Sequence, residues 1–327
     1  YKSFIGRMMK ILVYIQRDGD SIGRNSLEAL AGAQKFVAES SGEITVVCFD
    51  SGLTDKLTDY NISEVITVSH DELNTYSPLH FTAAMEQIIA KTSANVVIFG
   101  HTYQVRDWAP RLSARLDAPF ISDCIDADGS AGLTGIRQVY QGKINTNISA
   151  EGLVLMSFQS GAFRADSIES GSATTRTVDV DLSSVSASIR PGERFKESKG
   201  GVDLTRAEVV VSVGRGIGKE ENIPLVEDLK EALGAELGSS RPVVDYGWLP
   251  HERQVGSSGQ VVTPKMYLAV GISGAIQHQV GMKGSDNIVA INKDPNAPIF
   301  EIADYGVVGD LFEIVPKLSQ SIKDYKS

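Results

Sequence analysis

The sequence has few of the residues that build disulfide frameworks and metal centres. Its 327 residues include two cysteines and five histidines. Two cysteines cannot staple a fold or complete a zinc site, and the histidines show no metal-binding spacing such as HExxH. A reducing cytoplasm fits this cysteine usage best. We therefore expect no metal site.

Basic residues and long apolar runs are also scarce. Lys and Arg number 31 against 41 Asp and Glu, which gives a formal net charge of −10. A surface of this sign does not attract nucleic acid or anionic membrane, so neither is an expected partner. No apolar run approaches the roughly 18 residues of a transmembrane helix, and we expect no membrane insertion. Residues 1–15 lack the pattern of a secretory signal, and Met8 or Met9 is the expected natural start.

Short apolar runs alternate with helical patterns in the first part of the chain. The runs are ILVYI (11–15), ITVVCF (44–49), EVITV (64–68) and NVVIFG (95–100). Residues 26–39 and 81–90 show apolar positions at helical spacing. Continuous Val/Ile runs alternating with amphipathic helices are typical of a parallel sheet covered on both faces. From 121 to 190 the pattern weakens, and we expect smaller strands and loops that complete a first domain.

A charged, glycine-containing segment separates this region from a second alternating one. The segment RPGERFKESKGGVDLTRA (190–207) is the best linker, and we place the domain boundary at 196. Beyond it we predict strands at 208–214, 266–271, 288–292 and 299–304, and helices at 223–237, from about 273 and within 307–318. The expected protein is α/β, with two domains (1–196 and 197–327). Each is a mainly parallel sheet flanked by helices, and the second is Rossmann-like.

The loop after the first strand of the second domain is rich in glycine. In VGRGIG, Gly214, Gly216 and Gly218 lie where a strand turns towards a helix, and Arg215 adds a cation. Glycine permits tight turns and a close approach of backbone to phosphate. The spacing is not GxGxxG, so packing alone explains these glycines equally well. Arg215 can face a phosphate or water.

A second candidate phosphate site lies in MYLAVGISGAIQHQVG (266–281). The strand ends at Gly271, Ser273 is a favourable helix N-cap, and Gly274 and Ala275 are small enough for a ligand to approach the first turn. Free N–H groups and the helix dipole would favour a pyrophosphate there. An ordinary capped helix is the alternative.

Polar side chains accompany these loops. His278 lies one turn into the predicted helix and can donate a hydrogen bond to a bound heterocycle or fill a structural role. Arg241 precedes a proline in the strand-like RPVV, which restricts its backbone to extended geometry. Ser257 and Ser258 offer hydroxyls from the flexible-looking loop QVGSSG, which could equally be a solvated loop.

The segment INKDPNAPIFEIADYGVVGDL (291–311) supplies an amide and two carboxylates. Asn292 lies at the carboxyl end of a predicted strand, where ligands bind to open α/β sheets. Asp304 and Asp310 could bond a ribose or cap the next helix, and for each alone the cap is favoured.

Together these segments resemble the alpha subunit of electron transfer flavoproteins. Residues 267–311 resemble that family's signature region, and VGRGIG, SSRPVVD and QVGSSG occur in the family's order and spacing. The clear resemblance runs from about 208 to about 318. In the first domain, LEALAGAQ and RDWAPRLSARLDAPFISD agree more loosely.

The resemblance implies FAD as the cofactor and no catalytic residue. The contacts that it implies are Arg241, Ser258 and His278 for the flavin ring, Ser273, Gly274, Ala275 and Arg215 for the phosphates, Asn292 and Asp310 for the adenosine end, and Gln254, Val255, Gly256, Ser257, Gly271, Ile272 and Gln277 as further lining. A reduced flavin gains negative charge around N1 and the C2 carbonyl. A guanidinium and an imidazole that can be protonated would stabilise that charge.

The resemblance also implies a place in electron transport. The chain would form a heterodimer with a beta subunit, take electrons from acyl-CoA and other flavin dehydrogenases, and pass them to a membrane quinone oxidoreductase. Its compartment would be the bacterial cytoplasm, or the mitochondrial matrix in a eukaryote. One alternative is a bifurcating relative that uses NADH and a second FAD. Another is an NAD(P)-dependent enzyme on a similar fold, although no acid or base is arranged for such chemistry.

Overall fold

The computed structural model describes residues 9–39, 42–129, 133–140, 142–186, 192 and 203–326. The chain divides into two compact units, unit 1 (Tyr1–Arg194) and unit 2 (Phe195–Ser327). Each contains a mainly parallel sheet flanked by helices, which confirms the predicted fold class. The expected start, the boundary at 196 and most of the segment 190–207 lie outside the described residues.

The described elements are as follows in chain order. Unit 1 contains strands β1 (Met9–Ile15), β2 (Arg17–Asp18), β3 (Ser21–Ile22), β4 (Gly42–Cys48), β5 (Glu64–Thr67), β6 (Val96–Gly100), β7 (Phe120–Asp128), β8 (Thr134–Val139), β9 (Ile144–Ser149), β10 (Val154–Phe158) and β11 (Thr174–Thr177), and helices α1 (Arg24–Glu39), α2 (Thr54–Leu57), α3 (Pro78–Thr92) and α4 (Tyr103–Leu116). Unit 2 contains strands β12 (Val209–Val213), β13 (Glu236–Ser239), β14 (Met266–Val270), β15 (Ile288–Asn292) and β16 (Tyr305–Val308), and helices α5 (Ile223–Leu233), α6 (Arg241–Asp245), α7 (Ile276–Val280) and α8 (Leu311–Lys326).

The large sheet of unit 1 has the order β11-β5-β4-β1-β6-β10-β7-β8-β9. Its pairs are parallel except β7–β8 and β8–β9. The four predicted apolar runs form β1, β4, β5 and β6, and helices cover both faces. β10 is buried along its whole length between β6 and β7. The weakly patterned region 121–190 therefore supplies a central strand as well as peripheral ones.

The sheet of unit 2 is parallel throughout, in the order β13-β12-β14-β15-β16. Its two faces each carry a hydrophobic core; α5 and α8 cover one of them. β13 lies on one side of β12, whereas β14, β15 and β16 follow in order on its other side. A topological switch point therefore lies between β12 and β14. Open α/β sheets bind ligands outside the carboxyl ends of their strands at such a point.

Two predicted elements around β13 were wrong. The helix expected over 223–237 ends at Leu233, because Gly234 adopts a left-handed conformation (φ 71°) and β13 follows. The residues RPVV, expected to be extended, begin α6. The prolyl ring fits the first turn of a helix, where no backbone N–H is needed.

The strand expected at 299–304 was also misplaced. A 3-10 turn occupies Pro298–Glu301, and the strand is β16, whose four residues are all exposed. Part of the segment 190–207 belongs to the fold, since Leu204 is fully buried in one core of unit 2.

Candidate functional site

The loops that follow the five parallel strands of unit 2 share one edge of the sheet. They contain VGRGIG after β12, Arg241 after β13, residues 271–275 after β14, Asn292 as the last residue of β15, and Asp310 shortly after β16. All of the predicted site residues except those of the loop 254–258 and of α7 belong to these connections. Those two segments are tied to the edge by hydrogen bonds described below.

The glycines at the switch point hold two backbones in contact. The N–H of Gly214 donates to the Val270 carbonyl at 2.8 Å, and the N–H of Gly216 donates to the Gly271 carbonyl at 3.0 Å. A Cβ atom on Gly214 would lie 2.6 Å from the carbonyl carbon of Gly271, and one on Gly216 would lie 2.8 Å from its Cα. Packing between backbones therefore explains these two glycines.

The turn after β14 differs from the capped helix that the sequence predicted. α7 has five residues, its N-cap position is Ala275, and no side chain caps it. Ser273 is therefore not the N-cap. Its carbonyl accepts a hydrogen bond from the N–H of Ile299 at 3.0 Å instead. Gly274 has φ 83°, and a Cβ there would lie 2.6 Å from the Cα of Ile299. The small size of Gly274 is thus required by the loop before β16.

This turn still offers donors to an anion. Ser273 and Ala275 are exposed. Among the described residues, the backbone N–H groups of Ser273, Gly274 and Ala275 donate no hydrogen bond to the protein. Consecutive free N–H groups in such a turn attract phosphate oxygens. Because α7 is short, these N–H groups contribute more to anion binding than the dipole of α7 does.

The loop containing QVGSSG is anchored more firmly than its composition suggests. Val255 donates its N–H to the Ser239 carbonyl at 2.9 Å, at the end of β13, and Ser257 donates its N–H to the Gln277 carbonyl at 2.8 Å. The Gln254 side-chain amide donates to the Ser258 hydroxyl at 3.0 Å. Gly256 is buried against the backbone of Gln277. These bonds join the loop to β13 and α7, with Ser257 and Ser258 exposed.

His278 is a titratable residue at this edge of the sheet, and its side chain is shielded from water. Its side chain is buried, and its Nε2 lies 2.8 Å from the hydroxyl of Tyr267. Burial lowers the pKa of His278 to about 4. The imidazole is therefore neutral near pH 7 in the ligand-free protein, whereas the sequence left open that the ring is protonated. Its Nδ1 is buried and has no hydrogen-bond partner among the described residues.

Two arginines carry positive charge at the same edge. Arg241 begins α6, and its exposed guanidinium lies 3.4 Å from the carboxylate of Asp245. Arg215 is exposed in the glycine loop and has no ion-pair partner within the part of the chain that the structure describes. Both can reach a ligand from solvent without losing a buried contact.

The polar residues of 291–311 hold loops together. The Asn292 side-chain amide donates to the Ile272 carbonyl at 2.9 Å and accepts the N–H of Asp294 at 3.0 Å. Asp310 accepts the N–H of Phe312 at 2.9 Å, so it caps α8, as the sequence favoured. Asp304 accepts the N–H of Ile288 at 2.7 Å and therefore anchors β15 rather than a helix.

The structure brings most of the predicted residues into contact but leaves two groups apart. Hydrogen bonds or close approaches join 214–216 to 271, 254–257 to 277–278, and 272 to 292. In the described ranges, no hydrogen bond or ion pair joins the side chain of Arg241 or Arg215 to the other predicted residues. Two relevant residues were missed: Tyr267, which bonds His278, and Ser212, whose buried hydroxyl has no partner among the described residues. A hydroxyl within an otherwise apolar predicted strand was the available signal for both.

Two other kinds of feature are absent from the described residues. No group of three or more His, Cys, Asp or Glu side chains there could hold a metal ion. In those same ranges, no helix is long and apolar enough to cross a bilayer.

Comparison with known proteins connects both units to described families. The model of the "Electron transfer flavoprotein FAD-binding domain" matches residues 203–283, and that of the "Electron transfer flavoprotein domain" matches residues 11–183. The chain is 37% identical to the electron transfer flavoprotein subunit alpha of Bacillus subtilis, over 94% of this chain and 95% of that protein. It is 37% identical to the one from Syntrophomonas wolfei (94% and 97%) and 32% identical to the one from Mycobacterium leprae (98% and 100%).

Proposed function

Because the chain belongs to the electron transfer flavoprotein alpha-subunit family and carries its FAD-binding domain, we propose that it is the FAD-carrying subunit of a heterodimeric electron carrier. It accepts electrons from flavin dehydrogenases such as acyl-CoA dehydrogenases and delivers them to a membrane quinone oxidoreductase. The observation that carries the proposal is the match of the FAD-binding family to residues 203–283. These residues include the switch point, the free N–H groups and His278.

The groups at this edge fit FAD. The dinucleotide has an anionic centre, a flat ring with carbonyl acceptors, and an adenosine. The free N–H groups of 273–275 and the cation of Arg215 suit the pyrophosphate. The unpartnered Nδ1 of His278 suits a ring carbonyl, because a buried polar atom without a partner is costly unless a ligand supplies one. Asn292 and Asp310 lie towards β15 and β16, on the side assigned to adenosine.

FAD, when bound, supplies the electron-transfer chemistry. The contribution of the protein is to bind and orient it and to set its electrostatic environment. Arg241 would place a permanent positive charge beside the ring, and His278 would direct Nδ1 at the C2 carbonyl. Ser258, Ser257, Gln254 and Gln277 would line the ring. No group of the chain needs to take a proton from a substrate, which accords with an electron carrier rather than a catalytic enzyme.

The first domain has a different proposed role. We propose that domain 1–196 packs against the beta subunit and that domain 197–327 carries FAD, with the complex in the cytoplasm. The chain should therefore be co-expressed with a beta subunit. The expected product is a yellow 1:1 heterodimer that contains one FAD and is reduced by an acyl-CoA dehydrogenase with its substrate.

Flavin content separates this proposal from its alternatives. Two FAD per heterodimer with reduction by NADH would instead indicate a bifurcating relative. A protein that binds NAD(P) and no flavin would contradict the proposal. A fully flavinylated single chain that accepts electrons without any partner would contradict the heterodimer.

Replacing Arg241 with glutamine is expected to lower the midpoint potential of the bound flavin. The substitution removes a positive charge that would favour the reduced, more negative ring. If the preference of the site for the reduced over the oxidised ring falls tenfold, the midpoint potential of a one-electron couple falls by about 59 mV, and we expect a change on that order. FAD content should remain near that of the unaltered protein. Spectroelectrochemical titration measures the potential, and protein-to-flavin absorbance measures the content.

The matched control is Lys265→Gln. Lys265 carries the same charge but precedes β14, at the opposite end of the strand from the site, where it pairs with Glu208 at 3.1 Å. Its loss should leave the flavin potential unchanged. Loss of FAD with an unaltered potential in Arg241→Gln would assign Arg241 to the phosphates.

A further inference from the structure

A buried side-chain pair connects the core of unit 2 to the candidate flavin site. Tyr267 lies on β14, is fully buried, and has its hydroxyl 2.8 Å from Nε2 of His278. The other ring nitrogen, Nδ1, is buried without a partner among the described residues. The backbone of Val255 also interacts with the imidazole and raises its pKa, against the larger effect of burial, but no hydrogen bond of ordinary geometry reaches Nδ1.

The proton between Tyr267 and His278 can be placed by counting unmet hydrogen bonds. If the phenol donates, Nε2 accepts and Nδ1 carries the ring proton, so one buried donor lacks a partner. If Nε2–H donates instead, both the phenol O–H and the bare Nδ1 lack partners. Each unpaired buried polar group costs free energy, so the first arrangement is the more stable.

The surroundings of the phenol support the same direction. Burial raises the pKa of Tyr267 far above its usual range, so the phenol keeps its proton and remains a donor. Ser212 is the other polar side chain that influences the phenol. Its buried hydroxyl makes no hydrogen bond of ordinary geometry, but it interacts with the phenol and lowers the pKa of Tyr267, as a hydroxyl that donates towards the phenol oxygen does. The phenol proton therefore remains available to Nε2 of His278.

We propose that Tyr267 is a positioning residue that fixes His278 in the tautomer with its proton on Nδ1, so that Nδ1–H donates to a carbonyl or anionic oxygen of the flavin ring. The inference rests on the proposed function for the identity of the acceptor, but the tautomer itself is a property of this chain alone. The ring is oriented before any ligand arrives, which lowers the cost of forming the bond.

The tautomer can be measured directly in the full-length chain. Nitrogen-15 labelling of histidine distinguishes a protonated ring nitrogen from a bare one by its chemical shift. The His278 signals are identified by their loss in His278→Gln. In the flavin-free protein we expect Nδ1 protonated and Nε2 bare. In Tyr267→Phe, which keeps the ring and removes the donor, we expect Nε2 to become protonated in a large fraction of molecules.

The flavin supplies a second readout. With FAD bound, Tyr267→Phe should lower the midpoint potential of the flavin, because fewer molecules present Nδ1–H to the reduced ring. If the preference of the site for the reduced over the oxidised ring falls tenfold, the midpoint potential of a one-electron couple falls by about 59 mV. Tyr14→Phe is the matched control, since it removes the hydroxyl of a buried tyrosine in unit 1. It should change neither signal. Circular dichroism and the urea midpoint establish that each variant is folded.

The outcomes separate the inference from the function on which it rests. A wild-type protein with the proton on Nε2 would overturn the inference. The inference would also be overturned if Tyr267→Phe changed neither the tautomer of His278 nor the midpoint potential of the flavin. If the tautomer changes in Tyr267→Phe but FAD binding leaves the Nδ1 shift untouched, the positioning by Tyr267 stands. The placement of the flavin beside His278 is then wrong.

Discussion

Replacing Gly274 with alanine is expected to destabilise unit 2 by about 3 kcal/mol, since a left-handed non-glycine residue and an overpacked contact each cost on the order of 1–3 kcal/mol. Gly274 has φ 83°, and the added Cβ would lie 2.6 Å from the backbone Cα of Ile299. Backbone cannot rotate away as a side chain can, so the loop before β16 must shift. The same shift would disturb the N–H groups of 273–275, and FAD should be lost as well.

Urea unfolding of the flavin-free protein measures this effect. Trp248 packs against the core of unit 2 and reports on its unfolding by fluorescence. The matched control is Gly247→Ala, because Gly247 has a similar φ of 76° but nothing within 4 Å of the position of a Cβ. It should cost about 1 kcal/mol, the conformational part alone. Equal losses in the two variants would show that the contact with Ile299 is not what requires glycine.

Acidification is expected to weaken the flavin-free unit 2 between pH 6.5 and pH 4 through His278. The folded-state pKa is about 4, against about 6.5 for an unfolded histidine. In this interval the unfolded chain binds a proton and the folded chain does not, so the free energy of unfolding falls as the pH falls. The contribution of His278 is complete above pH 6.5. At about 1.4 kcal/mol per pKa unit, roughly 3 kcal/mol should be lost by pH 4.

Comparison with a variant isolates this contribution from the carboxylates that titrate in the same range. His278→Gln removes the titrating group, so the difference in unfolding free energy between pH 6.5 and pH 4 should shrink by about 3 kcal/mol. His251→Gln is the control, because it replaces an exposed histidine of the same unit. A pH dependence identical in all three proteins would show that His278 titrates normally.

The sequence predicts the strands well where they are buried on both faces. β1, β4, β6, β12 and β14 appear as continuous Val/Ile/Leu runs because a hydrophobic core lies on each face of these sheets. β16 was misplaced for the opposite reason. Its residues are exposed at the sheet edge, whereas the apolar Ile299 belongs to the preceding turn and is buried there.

The site was found through glycines and motif order, but its local geometry was not predictable. Ser273 has the chemistry of an N-cap, yet the bond from Ile299, 26 residues later in the chain, holds its carbonyl in a different turn. The roles of Gly214, Gly216 and Gly274 depend on contacts between distant backbones. Tyr267 was missed because its hydroxyl, although visible in an apolar strand, does not indicate that its partner is His278. Such long-range partners are absent from local patterns.

The strand order of unit 2 has a consequence for synthesis of the chain on the ribosome. After β12 and β13 pair, each later strand is added to the same growing edge in the order in which it is made. The sheet can therefore extend strand by strand as the chain emerges, and it is completed by β16, close to the C-terminus. A nascent chain that stalls before Tyr305 would leave β15 as an open edge. That edge would expose the backbone N–H and C=O groups of β15 that pair with β16 in the finished unit, and would be prone to pair with neighbouring chains.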